Sequence, residues 1–217
     1  MTEVTRSVVE TVEEMARSAR RASRALARVD GDERRTALHT MADMLELRCE
    51  EIVAANAIDL SAAGGNGLSD AMLNRLELDS VGVGKLSQAV REVADQPDPL
   101  GGIEEEHVRP NGLRVCRMRI PLGVVAMIYE SRPNVTSDAA ALCLKSGNAI
   151  ILRGGSEAIN SNRAIAAALR EGLAATAVPV DAVQLVPMSD RAAIDVLLQQ
   201  EAWIDVVIPR GGEGLIR

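Results

Sequence analysis

The chain has 217 residues, with 24 Lys and Arg against 31 Asp and Glu for a formal charge of -7, 25% charged and 47% hydrophobic residues. That balance suits a folded α/β protein with one substantial core, argues against disorder, and gives none of the basic surface on which nucleic-acid binding leans. One Trp, one Tyr and no Phe leave no stacking platform for bases, so Leu, Ile, Val, Met and Ala must fill the core.

The opening stretch carries Glu3, Arg6, Glu10, Glu13 and Glu14, unlike a signal peptide, and no apolar run reaches the roughly eighteen residues of a membrane span. From Val4 to Val29 apolar residues recur at three and four, which predicts a long amphipathic helix. Its arginines, Arg17, Arg20, Arg21 and Arg24, read as a solvated face. Asp30-Gly31-Asp32 breaks the pattern, and Asp32 is a plausible cap for a second helix extending through Cys49 to about Leu60. These two helices are expected to pack on each other or on a sheet. A turn at Gly64-Gly65-Asn66-Gly67 precedes a short helix from Ser69 to Leu76. Ser80 caps another that stops at Gln96-Pro97, and Asp98 to Gly102 reads as linker.

Between Glu104 and Arg119 the period falls to near two, and Pro110-Asn111-Gly112 marks a hairpin. This ribbon is too charged for a core and suits a protected edge or an arm that pairs with another subunit. Beyond Pro121, strands at Val124–Tyr129, Ala149–Leu152, Ala182–Val186 and Ile204–Ile208 alternate with helices at Ser137–Leu144, Ala158–Leu173 and Arg191–Leu198. The expected fold is α/β: a doubly wound, mostly parallel sheet with N-terminal helices and a protruding β-hairpin arm. The boundaries are 1–103 for the helical part, 104–120 for the hairpin and 121–217 for a Rossmann-like nucleotide-binding region. Because the chain stops just past a strand and glycine turn, it is expected to be a piece of a longer protein.

In such sheets ligands collect beyond the carboxyl ends of strands. The first exit, Tyr129 to Thr136, offers Ser131, Arg132 and Asn134 to a carbonyl or anionic substrate, or serves as turn and cap. The second, Arg153-Gly154-Gly155-Ser156-Glu157, could bring backbone near a ligand with Arg153 on a phosphate or ribose, or simply turn tightly. The last, Pro209-Arg210-Gly211-Gly212-Glu213-Gly214, sets several glycines where a helix N-terminus could meet a pyrophosphate, or is an isolated glycine-rich turn. His39 and His107 have no partner at metal spacing, so no metal site is expected. Cys49, Cys116 and Cys143 read as packing residues of a reducing compartment, hence a cytoplasmic protein.

Several long runs carry a family resemblance. Arg119-Ile120-Pro121-Leu122-Gly123-Val124-Val125, Tyr129-Glu130-Ser131-Arg132-Pro133-Asn134-Val135-Thr136, Cys143 through Gly155, and Ile204 through Gly212 resemble the γ-glutamyl phosphate reductases of the aldehyde dehydrogenase superfamily. Asn66-Gly67-Leu68-Ser69 and Ala71 through Leu76 are similar too. The resemblance implies NADPH-dependent reduction of L-glutamyl 5-phosphate to L-glutamate 5-semialdehyde and phosphate in proline biosynthesis, with NADP(H) as cofactor. It implies a catalytic cysteine in a second domain following this segment, so that the chain alone is expected to be inactive. It also implies nucleotide contacts by Arg153, Gly154, Gly155, Glu157, Gly211 and Gly212, substrate contacts by Arg132 and Ser131, and an oxyanion donor at Asn134. Homo-oligomerisation would run through residues 104–120, with neither nucleic acid nor membrane as partner. The rival expectation is a non-catalytic nucleotide-binding or oligomerisation module.

Overall fold

The computed structural model describes residues 3–65 and 69–211. Helix α1 (Glu3–Leu26) buries Val8, Val12, Ala16, Ala19 and Leu26 along one stripe, and its small alanines let it lie close against the parallel sheet. It does not make its main packing with the next helix. Its arginines serve the chain's own contacts: Arg20 pairs with Asp205 at 2.8 Å, Arg21 with Glu14 at 2.9 Å, and Arg17 lies 5.6 Å from the centre of the Trp203 ring.

Where one long second helix was expected, two occur: α2 (Gly31–Leu47) and α3 (Cys49–Gly65). The break falls at Arg48, whose φ of -95° and ψ of 18° end α2 without a glycine or proline. The cap is Asp30 rather than Asp32. Its carboxylate accepts the Glu33 N–H while Glu33 reaches back to the Asp30 N–H, a capping box. Likewise Asp79, one residue before Ser80, caps α5 (Ser80–Asp95) by accepting the Gly82 N–H at 2.7 Å. Between them lies α4 (Asp70–Leu76), which follows Ser69. Of the expected turn, Gly64 and Gly65 close α3, while Asn66 and Gly67 lie outside the described residues. The expected linker is tied down: Asp98 holds buried Arg34 through two hydrogen bonds of 2.9 and 2.7 Å.

The hairpin pairs β1 (Ile103–Val108) with β2 (Arg114–Met118) antiparallel, and every residue of both strands is exposed. Gly112 turns it with a φ of 83°, a left-handed conformation that costs glycine little. The second sheet is wholly parallel. Strands β3 (Val124–Tyr129), β4 (Ala149–Arg153), β5 (Val183–Leu185) and β6 (Val206–Arg210) stand in the order β5-β4-β3-β6. β6 starts two residues later than expected, because Asp205 is spent at its entry, where its carboxylate accepts the Val124 N–H and pairs with Arg20. Helices α6 (Asn134–Lys145) and α7 (Ile159–Ala174) cover one face, with α2 and α5 stacked behind them. On the other face α1 packs with α8 (Ala192–Leu198). Continuous burial of β4, all five residues, is what a central parallel strand with helices on both sides requires.

Candidate active site

Four parallel strands deliver their carboxyl ends to a single edge. The chain steps from β3 to β4 to β5 in one direction and then returns to place β6 on the far side of β3. Strand order thus reverses between β3 and β6, the position at which open α/β sheets carry their ligand crevice. Two adjoining clefts occupy this edge. The larger, about 960 Å³, runs over β3, β4 and β5 and is lined by Asp59, Ser131, Arg153, Glu157, Ser189 and Arg191 among others. The smaller, about 480 Å³, lies between the β3 exit, α4 and the end of β6. Tyr129, Glu130 and Ser131 border both.

Arg153 ends β4 almost buried. It donates to the Gly154 carbonyl at 3.1 Å and to the Ser189 carbonyl at 2.8 Å, and its Nε is buried without a partner. Burial works against its charge, and Glu157 opposes that effect. The Glu157 carboxylate is clasped by the Ser131 hydroxyl and by the Ser131 N–H at 2.8 Å, which ties the β4 exit to the β3 exit. Burial pushes this carboxyl up, yet the Ser131 hydroxyl and the backbone N–H groups outweigh it and hold Glu157 below the usual range.

Behind the clefts a buried chain of hydroxyls and an amide locks three elements together. Tyr129 and Thr136 share a 2.6 Å hydrogen bond, and the Thr136 hydroxyl donates to Asn162 Oδ1 at 3.0 Å. Burial raises the Tyr129 phenol well above its ordinary range, so it stays neutral. A Cβ on Gly154 would run into the Asn162 amide and lie 3.1 Å from Tyr129 Cζ, and one on Gly155 would strike the Glu157 carboxylate. Both glycines thus lie tight against the chain's own side chains, and of the two only Gly155 borders the cleft. At the start of α7, Asp59 accepts the Asn160 and Ser161 N–H groups at 3.2 and 2.7 Å and the Ser161 hydroxyl at 2.6 Å. That carboxylate occupies the helix end at which a nucleotide fold often holds a phosphate.

With this geometry in view, comparison with known proteins decides the family. The profile of the aldehyde dehydrogenase family matches residues 1–212. The chain belongs to the aldehyde dehydrogenase family. A γ-glutamyl phosphate reductase of Solidesulfovibrio magneticus is 54% identical over 211 residues, covering 97% of this chain and 50% of that protein. The corresponding protein of Magnetococcus marinus is 51% identical over 210 residues, 96% of this chain and 49% of its own length. The crystal structure of γ-glutamyl phosphate reductase from Thermotoga maritima superposes with a TM-score of 0.92 at 39% identity, over 94% of this chain and 50% of that one. The chain thus spans about half the length of the curated relatives it matches.

In this aldehyde dehydrogenase family chain, Ser131, Arg153, Gly155 and Glu157 meet in the larger cleft, and Ser131, Arg132 and Gly211 in the smaller. Asn134 borders neither: exposed at the first turn of α6, it donates its amide to Asp138 at 2.9 Å. Gly212 lies outside the described residues. Sequence reasoning passed over Ser189 and Arg191, although they leave β5 at the same edge and the strand-end rule pointed to them. Asp59 and Arg75 reach the clefts from α3 and α4 and carry no motif of their own. Among the described residues no helix is long and apolar enough to cross a membrane, and no group of three His, Cys, Asp or Glu could hold a metal ion.

Proposed function

We propose that this chain forms the nucleotide-binding part of an acyl-phosphate reductase that uses NADPH to convert L-glutamyl 5-phosphate to L-glutamate 5-semialdehyde and phosphate, in proline biosynthesis. The observation that carries this reading is the pair of adjoining clefts at the strand-reversal point, in a chain 51% and 54% identical to proteins named γ-glutamyl phosphate reductase. The larger cleft fits a dinucleotide in size, and the buried Nε of Arg153 is a donor lacking an acceptor, as a ribose or phosphate oxygen would provide. Once bound, the cofactor supplies hydride.

The chain's own residues then bind and orient. Arg153 holds the nucleotide, with Gly155 and Gly211 bordering it, and Glu157 keeps Ser131 beside it. Arg132 and Ser131 face the substrate's anionic end. Asn134 serves as oxyanion donor after exchanging its bond to Asp138. None of Cys49, Cys116 and Cys143 borders either cleft, and burial pushes the Cys143 thiol up to about 12. The acyl-accepting thiolate therefore comes from outside this chain, which alone binds nucleotide without turnover. The exposed β1-β2 ribbon pairs with another subunit, and the three free cysteines suit the cytoplasm.

Calorimetric titration of the chain with NADPH, NADP+ and NADH, beside an assay of phosphate-dependent oxidation of glutamate 5-semialdehyde, tests this. Expected are binding that favours the phosphorylated cofactors, weakening of about tenfold in Arg153→Ala, and no turnover. Absence of any nucleotide binding would overturn the reading. Turnover by the chain itself would overturn the assignment of the nucleophile.

A further inference from the structure

We propose that the smaller cleft is a phosphoryl-anion site held jointly by Arg75, Arg132 and Arg210. Arg75 comes from the last turn of α4, Arg132 from the loop after β3 and Arg210 from the end of β6. Far apart in sequence, they line one cleft because α4 lies over the paired carboxyl ends of β3 and β6. Among the described residues none of the three is in a salt bridge with a carboxylate. One carboxylate, Glu130, shares the lining, so three positive groups less one negative leave a surplus of two, the charge a phosphate monoester carries near neutral pH. Asp138 acts on Arg210 from outside the lining, and its burial raises its own pKa.

Three like charges gathered on one concavity repel one another, an arrangement that an anion between them would relieve. Guanidinium groups present planar pairs of donors matched to phosphate oxygens. Met72, one helical turn from Arg75, and Val135 give the cleft an apolar wall beside those charges. Ser131 borders both clefts, so an anion held here sits beside whatever occupies the larger one.

The source of the phosphate rests on the function proposed above: it belongs either to the acyl phosphate or to the dinucleotide, and both present the same chemistry. The probe is inorganic phosphate, titrated calorimetrically into the chain with and without saturating NADPH. Expected is saturable binding that weakens about tenfold or more in Arg75→Gln and in Arg210→Gln, with partial recovery in Arg75→Lys, which keeps the charge but loses the paired donors. Thermal melts confirm that each variant is folded, as the exposure of both side chains leads one to expect. Phosphate binding that persists under saturating NADPH assigns the site to the acyl phosphate, and binding abolished by NADPH assigns it to the dinucleotide. Variants that bind phosphate as the parent does, or a parent that binds none at millimolar concentration, overturn the site. Phosphate binding without NADPH binding would sink the nucleotide function and leave the site standing, whereas NADPH binding without phosphate binding would sink the site alone.

Discussion

Gly172 in α7 and Gly84 in α5 are both helical glycines, but they face opposite surroundings. At Gly172 a Cβ would lie 2.8 Å from Met41 Cα, 2.9 Å from Met41 N and 2.9 Å from the Thr40 carbonyl oxygen. All three are backbone atoms of α2, so no side-chain rotation makes room and the two helices must separate. Alanine recovers about 1 kcal/mol of helix propensity. Overpacking costs typically about 1–3 kcal/mol, and against backbone on both sides the upper part of that range applies. A net loss of about 1–2 kcal/mol follows, which for a chain of this size lowers Tm by about 2–8 °C. At exposed Gly84 nothing lies within 4 Å of the added Cβ, so the propensity gain stands alone and Tm rises by about 2–4 °C. Circular dichroism melts of Gly172→Ala and Gly84→Ala read both directions. A Gly172→Ala protein melting at or above the parent would refute the claim that α2 and α7 meet backbone to backbone.

Removing the Asp59 carboxylate by Asp59→Ala leaves buried donors at the start of α7 without an acceptor and is expected to cost about 2–3 kcal/mol, measured by urea unfolding. For Glu157, whose folded pKa lies below the ordinary 4.5, the stabilising clasp is complete above that value and is lost as pH falls through the lower folded value. Parent and Glu157→Gln stability curves should therefore differ at neutral pH and converge in acid, and a constant offset throughout would remove the carboxylate's charge from the explanation. A thiol reagent at mildly alkaline pH should modify exposed Cys116 well before Cys143, whose thiol is pushed up to about 12. Mass spectrometry of tryptic peptides gives the order, and faster labelling at Cys143 would contradict the partial cover and raised pKa of that thiol in α6.

The sheet and its helices were legible because their patterns are strong. The apolar strands at Val124 and Ala149 are bounded by Gly123, Gly147 and polar exits, and the helix between them is marked by its alanine-rich run from Ala139 to Leu144. The break at Arg48 was not legible, since apolar residues continue on both sides of it and its backbone departs from helix only slightly. Asp30 and Asp32 are equivalent as local signals, and the choice between them depended on Glu33 standing three residues after Asp30. Strand exits led to Ser131, Arg153 and Glu157. Arg75 and Asp59 could not be reached that way, because what brings them to the clefts is the tertiary fold of α3 and α4 over the sheet edge. The paired glycines suggested backbone close to a ligand, whereas the close neighbours they admit are Asn162 and Glu157.

The β1-β2 ribbon has no buried side chain, so its ladder of hydrogen bonds opens without uncovering any core. Its amide protons should exchange with deuterated water far sooner than those of β3 and β4, whose opening requires the helical layers to lift. Protection of these eleven residues is then a meter of whatever surface comes to cover them, readable without knowing in advance what that surface is.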